Sequence, residues 1–418
     1  MKKICIFILL VVILSGCTRS NNSNNMGREK RNEDAIIDEE DKTEEEDMSE
    51  ERKDNIKKVI SNMTLEEKIG QLLIIGIEDT EVDDHVRKMI EEYKVGGFIL
   101  FKHNISNADQ ATELLNSLKS LNKKNPIPLF LSIDEEGGRV SRLPNTFPKL
   151  PPAKKIGKVN DESISLQYGK IIGKRIKSLG FNINFAPVLD IDSNPNNPVI
   201  GDRAFGSDKN TVIDHSLKVM EGINQEGIIS VVKHFPGHGD TNLDSHVDLP
   251  VIEKDLPQLE ELELTPFIEA IREGVDGIMV AHILFPKLDE EFPSTLSEKI
   301  ISQLLRKRLG YEGLIFSDDM TMGAIMKNYS IEDAASRFLK AGGDILLICH
   351  GYENHIKVFE QIKEEVKKGN LSEGEIDEKL YRIIGIKNRY KLEDKILEGI
   401  DLELLNSETQ QFLDKIDQ

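Results

Sequence analysis

Short apolar runs rich in β-branched residues recur along this chain, and longer stretches with helical periodicity separate most of them. Eight runs read as strands: Leu72–Ile75, Phe98–Phe101, Leu129–Ile133, Ile183–Ala186, Ile228–Val232, Gly277–Ala281, Leu314–Phe316 and Ile345–Ile348. Between them lie amphipathic segments such as Leu166–Leu179, Val212–Glu226, Leu259–Ile271, Ile300–Leu309 and Ala334–Leu339. Apolar strands separated by helices imply parallel strands with crossover connections. Eight such units predict an α/β fold of the (β/α)8 TIM-barrel type. A doubly wound open sheet competes, but no GxGxxG or phosphate-binding loop follows the first strand. Thr64, with Glu67 three residues on, is a capping-box pattern that opens the globular body. A helix over Ile376–Asn388 is expected to close the barrel, with a charged tail after it.

The ends of the chain have a different texture. Lys2 and Lys3 precede an apolar stretch, Ile4–Leu14, too short to span a bilayer comfortably. Leu14-Ser15-Gly16-Cys17 follows and resembles the lipobox of bacterial lipoproteins, in which Cys17 is cleaved free and acylated. An uncleaved anchor helix or an ordinary signal peptide are the other readings. The next segment is Asn/Ser-rich and then acidic, and cannot bury enough apolar surface to fold. As a flexible tether of roughly 33 residues it would span about 30 Å. The expected organisation is a signal peptide (1–16), a lipidated cysteine and disordered linker (17–50), a single catalytic barrel domain (51–395) and a charged tail (396–418). Localisation follows from this: outside the cytoplasm, anchored to the membrane through Cys17.

Composition narrows the function. The formal net charge of -20 opposes nucleic acid as a partner. Of three cysteines, cleavage removes Cys5 and acylation uses Cys17, so Cys349 has no partner for an intramolecular disulfide. There is no Trp for stacking on sugars, a role Phe and Tyr can also fill.

Candidate chemistry gathers where the predicted strands end, which in such barrels is where active sites lie. Strand three runs into Asp134-Glu135-Glu136-Gly137-Gly138-Arg139, strand four into Pro187 and Asp190, strand five into Lys233-His234, strand six into His282, and strand seven into Ser317-Asp318-Asp319. The densest segment is Lys233-His234-Phe235-Pro236-Gly237-His238-Gly239-Asp240-Thr241, followed by Asp244-Ser245-His246. A metal site and a self-capping loop are alternative readings. Pro236, Gly237 and Gly239 oppose any helix-borne ligand pair, so no metal and no organic cofactor are expected.

That segment resembles the signature of family 3 glycoside hydrolases, in their β-N-acetylglucosaminidase branch. The likeness continues through Asp134-Glu135-Glu136-Gly137-Gly138-Arg139-Val140, Gly201-Asp202-Arg203-Ala204-Phe205-Gly206, Pro293-Ser294-Thr295-Leu296-Ser297 and Phe316-Ser317-Asp318-Asp319-Met320. The resemblance implies a retaining enzyme that releases terminal β-linked N-acetylglucosamine from peptidoglycan fragments or related saccharides. It assigns the nucleophile to Asp318 and the acid/base to His246, with Asp244 orienting the ring. Adjacent strand residues diverge, so only one of Asp318 and Asp319 is expected to face the pocket. The resemblance assigns sugar binding to Asp134, Arg142, Arg203, Lys233 and His234. His238 and Asp240 receive loop-shaping roles. His282 is left open as a pocket residue, while His85, His103, His215, His350 and His355 match nothing and read as surface or packing residues. Some relatives carry a second α/β domain, and this chain's site is expected to be complete on the barrel of a monomer. A phosphorylase and a non-catalytic sugar-binding lipoprotein are the competing functions.

Overall fold

The computed structural model describes residues 53–417. The expected signal peptide, Cys17 and the linker lie outside the described residues. From Ile56 onward the described residues form one compact unit. Its eight strands are β1 (Leu73–Gly76), β2 (Gly97–Leu100), β3 (Phe130–Ile133), β4 (Ile183–Asn184), β5 (Ile229–Phe235), β6 (Gly277–Val280), β7 (Leu314–Asp319) and β8 (Ile345–Ile348). They pair in chain order, and β8 returns to β1, closing a parallel barrel. Every strand is buried apart from the last two residues of β7, because helices cover the outside and side chains fill the inside. This burial on both faces explains why the strands read as unbroken apolar runs.

Many of the helices start where a capping side chain satisfies one of their free N–H groups, as Asp83, Asn107, Asp161 and Asp208 do. Thr64 accepts from the Glu67 N–H, and Glu67 Oε2 accepts from the Thr64 N–H at 2.8 Å, forming the expected capping box. The expected single helix Leu259–Ile271 is instead two, Leu256–Glu261 and Thr265–Arg272. Pro266 has no N–H to donate and fits only the first turn of a helix, so the chain breaks before it and restarts.

Helix Glu373–Arg389 closes the N-terminal face of the barrel. From it the buried Lys387 donates to the carbonyl of Pro128 at 2.7 Å, Gln71 Oε1 at 3.0 Å and the carbonyl of Gly96 at 3.2 Å. These acceptors precede β3, β1 and β2, so one ammonium ties three strand entrances together. The segment expected as a charged tail carries a further helix, Leu402–Ile416. Its Phe412 is fully buried 6.0 Å from the Tyr168 ring, and Lys174 pairs with Glu408 at 2.8 Å. The tail is therefore part of the packed body.

Candidate active site

The C-terminal mouth of the barrel holds a cavity of about 170 Å³. Its floor begins after β3. Gly137 turns the chain at φ 83°, and a Cβ there would lie 1.9 Å from the Tyr168 hydroxyl. Just before that turn, the buried Glu135 carboxylate accepts from Ser141 Oγ and from the Arg142 N–H at 2.9 Å, which folds Arg142 back over the mouth. Lys233 donates to Asp134 at 2.6 Å and to Glu136 at 2.8 Å. Arg203 grips Glu136 through two bonds of 2.7 and 2.9 Å, and Arg142 Nη2 stands 3.7 Å from Asp134. Burial works against the charge on Lys233, but Asp134 and Glu136 outweigh it and raise its pKa. Burial likewise opposes the Glu136 carboxylate, yet Arg203 and Lys233 hold it well below the usual carboxylate range.

Two of the strands that carry this chemistry are irregular. Between β5 and β6 the register runs Val232↔Ile278 and then Phe235↔Val280, so β5 has one extra residue. Between β7 and β8 it runs Phe316↔Ile345 and then Asp319↔Leu347, again with one extra. Bulges re-aim side chains at functional sites. Lys233 and His234 both line the cavity, and so do Asp318 and Asp319. The expectation that only one of the two aspartates faces the pocket is thus corrected, because the bulge removes the strict alternation it assumed.

Hydrogen bonding still separates the two. Asp319 Oδ1 accepts from the Thr321 N–H and hydroxyl at 2.9 and 2.7 Å and from the Cys349 N–H at 3.1 Å. Asp318 accepts only the Asp319 N–H, at 2.8 Å, among the described residues. Burial would raise its pKa, but the imidazoles of His282, His234 and His246, with that N–H, bring it to about 2. Asp318 is therefore an ionised carboxylate with lone pairs free toward the cavity. His282 lies behind the wall and does not line the cavity. It is fully buried, and its Nε2 donates to the Asp319 carbonyl at 3.0 Å.

Past the bulge, β5 leads into the His-rich loop. His234 Nδ1 lies 2.7 Å from Asp190 Oδ2, and the other Asp190 oxygen accepts the His238 N–H at 2.6 Å. The buried His238 joins Thr241 Oγ1 at 2.9 Å and Ser245 Oγ at 3.2 Å. Burial pushes its pKa down to about 4, so a neutral ring braces the loop. Asp240 pairs with Lys254 at 2.8 Å, outside the cavity. Both side chains bond within the loop or to its neighbours, and His238, unlike Asp240, also lines the cavity. The loop then presents His246 at the mouth, with Nδ1 2.7 Å from Asp244 Oδ1. Nδ1 is thereby engaged, leaving Nε2 for a ligand.

Seven of the eight expected active-site residues line the cavity: Asp318, His246, Asp134, Arg142, Arg203, Lys233 and His234. Asp244 stands behind His246. Residues that sequence reasoning gave no role include Glu136, which bridges Lys233 and Arg203, and Asp190, which holds His234. His350, expected to be an ordinary surface or packing residue, lines the rim beside Phe101, with ring centroids 5.1 Å apart. It lies two residues past the end of β8, and that strand-end position is its signal in the sequence. The other unmatched histidines pack as expected: His85 stacks on Tyr352 and meets His355 at 3.1 Å, His103 lies 3.3 Å from the Ile77 carbonyl, and His215 bonds Ser165 at 2.8 Å.

Residues 64–386 match the glycosyl hydrolase family 3 N-terminal domain. A β-hexosaminidase from Nitrosomonas eutropha is 36% identical over 66% of this chain and 80% of its own length. β-Hexosaminidase A from Pseudoalteromonas piscicida is 35% identical over 74% of this chain, which spans 56% of that longer protein. Among solved structures, a glycoside hydrolase family 3 β-N-acetylglucosaminidase from Paenibacillus sp. str. FPU-7 superposes with a TM-score of 0.80 at 37% identity, over 84% of this chain and 69% of that one. With the family domain covering most of the barrel body, the chain belongs to glycosyl hydrolase family 3, a family of glycoside hydrolases.

Proposed function

We propose that the protein is a retaining exo-β-N-acetylglucosaminidase. Asp318 attacks the anomeric carbon of a terminal sugar, and the bond to the leaving oxygen breaks as His246 Nε2 delivers a proton to that oxygen. The neutral imidazole then takes a proton from water, whose oxygen displaces Asp318 and frees the sugar with its configuration retained. Asp244 holds the ring's tautomer and supports the imidazolium, as the third member does in catalytic triads. Asp134, Arg142, Lys233 and His234 bond the hydroxyls of the terminal sugar, and Arg203 helps fix that network through Glu136. The observation that carries this reading is one free, ionised carboxylate and one carboxylate-backed imidazole at the same cavity.

The relatives' names and the shape of the site support the substrate class. A pocket closed by the His-rich loop suits chain ends better than a long cleft. The lipobox-like Leu14-Ser15-Gly16-Cys17 would hold the enzyme on the outer side of the cytoplasmic membrane, next to peptidoglycan fragments. We propose that it works there as a monomer, a reading supported by Asp318, His246 and the sugar-binding residues already meeting at one cavity of one barrel.

The test uses aryl β-N-acetylglucosaminide and aryl β-glucoside, with and without phosphate. Hydrolysis of the first, independent of phosphate, is expected. Phosphate-dependent turnover would mean phosphorolysis, and comparable kcat/KM on the glucoside would refute the substrate. A fluorinated mechanism-based glycoside should label Asp318, and label on Asp319 would overturn the nucleophile. Cys17→Ser should move the protein out of the membrane fraction; a mutant still membrane-bound and lipid-labelled would refute the anchor.

A further inference from the structure

His246 carries most of the chemistry at the mouth and has the least to hold it. Its side chain is 66% exposed, and its side-chain partner Asp244 sits on the same loop and is itself 36% exposed. Neither group ties the ring to the barrel. The attachment is made by backbone. Ser245 is buried, its hydroxyl meets His238, and its carbonyl accepts the Ala324 N–H at 3.0 Å. One residue earlier, at Gly323, a Cβ would lie 2.5 Å from the His246 carbonyl oxygen and 2.7 Å from that of Val247. Those are backbone atoms, so no side-chain rotation relieves the clash.

We propose that Gly323 is a positioning residue for the acid/base: its missing side chain lets the loop turn carrying His246 dock on the segment that follows the nucleophile strand. This rests on the proposed role of His246. Gly323 opens the helix Gly323–Met326, four residues beyond Asp319. Ala324 and Ile325 are fully buried, and the Met322 N–H donates to the Asp319 carbonyl at 3.0 Å, so this side is fixed. The loop side, with His246 and Val247 exposed, is the one that yields. A methyl group at 323 displaces the His246 backbone while leaving Asp318 and the sugar-binding floor in place. The docking thus sets the separation between acid/base and nucleophile.

The experiment compares wild type, Gly323→Ala, His246→Ala and the double variant in the full chain, on aryl β-N-acetylglucosaminides with good and poor leaving groups. Thermal midpoints are measured alongside. Gly323→Ala is expected to lose about tenfold or more on the poor leaving group and less than about threefold on the good one, a misplaced proton donor being costly only where a proton is needed. In the His246→Ala background it should cost nothing further, because the group it positions is gone. Equal loss on both leaving groups, no loss, or a loss that persists without His246 overturns the proposal. If His246→Ala itself shows no leaving-group dependence, the acid/base assignment fails first and the proposal falls with it. Should Gly323→Ala not fold, Ala324→Pro removes the N–H that holds Ser245, at a first-turn position where Pro is tolerated, and must give the same signature.

Discussion

The protein contains the same chemical pair twice, in opposite surroundings. His234–Asp190 and His246–Asp244 each place Nδ1 2.7 Å from a carboxylate oxygen. The first pair has side-chain exposures of 7% and 0%, the second 66% and 36%. Burial turns the first into part of the floor: Asp190 also accepts the His238 N–H, so the carboxylate cannot move without breaking the loop's base. Exposure leaves the second free to exchange protons with solvent and, in the proposed mechanism, to meet a leaving group. The lesson is that an imidazole–carboxylate distance does not define a role. What separates binding from proton transfer is what else the carboxylate holds and whether water can reach the ring.

The largest expected effect breaks the pairs apart by kinetics. His246→Ala should slow an aryl glycoside with a poor leaving group by about 10²- to 10⁴-fold, and one with a good leaving group far less. His234→Ala should lower kcat/KM by a similar factor across leaving groups, because in the proposed mechanism it meets sugar hydroxyls away from the reacting bond. Rates for both variants over a series of phenol leaving groups decide it. A flat series for His246→Ala and a steep one for His234→Ala would exchange the two roles.

Next comes stability. Asp190→Ala leaves a buried imidazole and the His238 N–H without their acceptor, and should cost about 3–5 kcal/mol in denaturant unfolding. A cost under about 1 kcal/mol would show that the His234 pair is not the rigid element that its burial implies.

A pH titration sharpens the same contrast through His238, which sits between the pairs. Its folded pKa of about 4 lies below its ordinary value, so between those limits the unfolded chain binds the proton that the folded one refuses. Stability is then full above about pH 6.5 and falls by about 3 kcal/mol as pH drops toward 4. His238→Asn should flatten that slope in thermal midpoints measured from pH 4 to 7. An unchanged slope would place the acid sensitivity elsewhere. Asp190, whose pKa is lowered by His234 and His238 against the pull of burial, adds a loss only at still lower pH, as it becomes protonated.

The sequence made one side of this contrast easier to read than the other. Parallel strands are buried on both faces, so all eight announce themselves as apolar runs such as Ile345–Ile348. The polar strand ends were legible as chemistry but not as strand. β5 continues through Lys233-His234-Phe235 and β7 through Ser317-Asp318-Asp319, where polarity suggests that a strand has stopped. The bulges that turn neighbouring side chains into one cavity leave no periodic trace. Asp244 and His246 are legible because the segment that resembles the family signature is local and carries both, two residues apart on one loop. Asp190 is 44 residues from His234, and nothing in the spacing joins them. Glu136 was hidden by its neighbours: past the end of β3 alternation lapses, and of Asp134, Glu135 and Glu136 only the fold shows which one bridges Lys233 and Arg203. The tail was read by its charge, although Leu402, Leu405, Phe412 and Ile416 recur on one helical face.

The smallest expected effect is on stability at the exposed pair, and it tests the comparison from its weak side. Asp244 accepts the His246 N–H at 2.9 Å as well as the ring, and both bonds stay within a surface turn. Water replaces such bonds readily, and exposed ion pairs contribute little. Asp244→Ala should therefore change unfolding free energy by less than about 0.5 kcal/mol. Turnover should respond differently: the ring loses its orienting acceptor, and poor leaving groups should show part of the loss seen in His246→Ala. The two readouts must separate in this variant and coincide in Asp190→Ala, where rigidity and binding are one property. If Asp244→Ala instead destabilised the protein by several kcal/mol, the loop would be held by that carboxylate and not by the docking of Ser245 and His246 on Gly323 and Ala324.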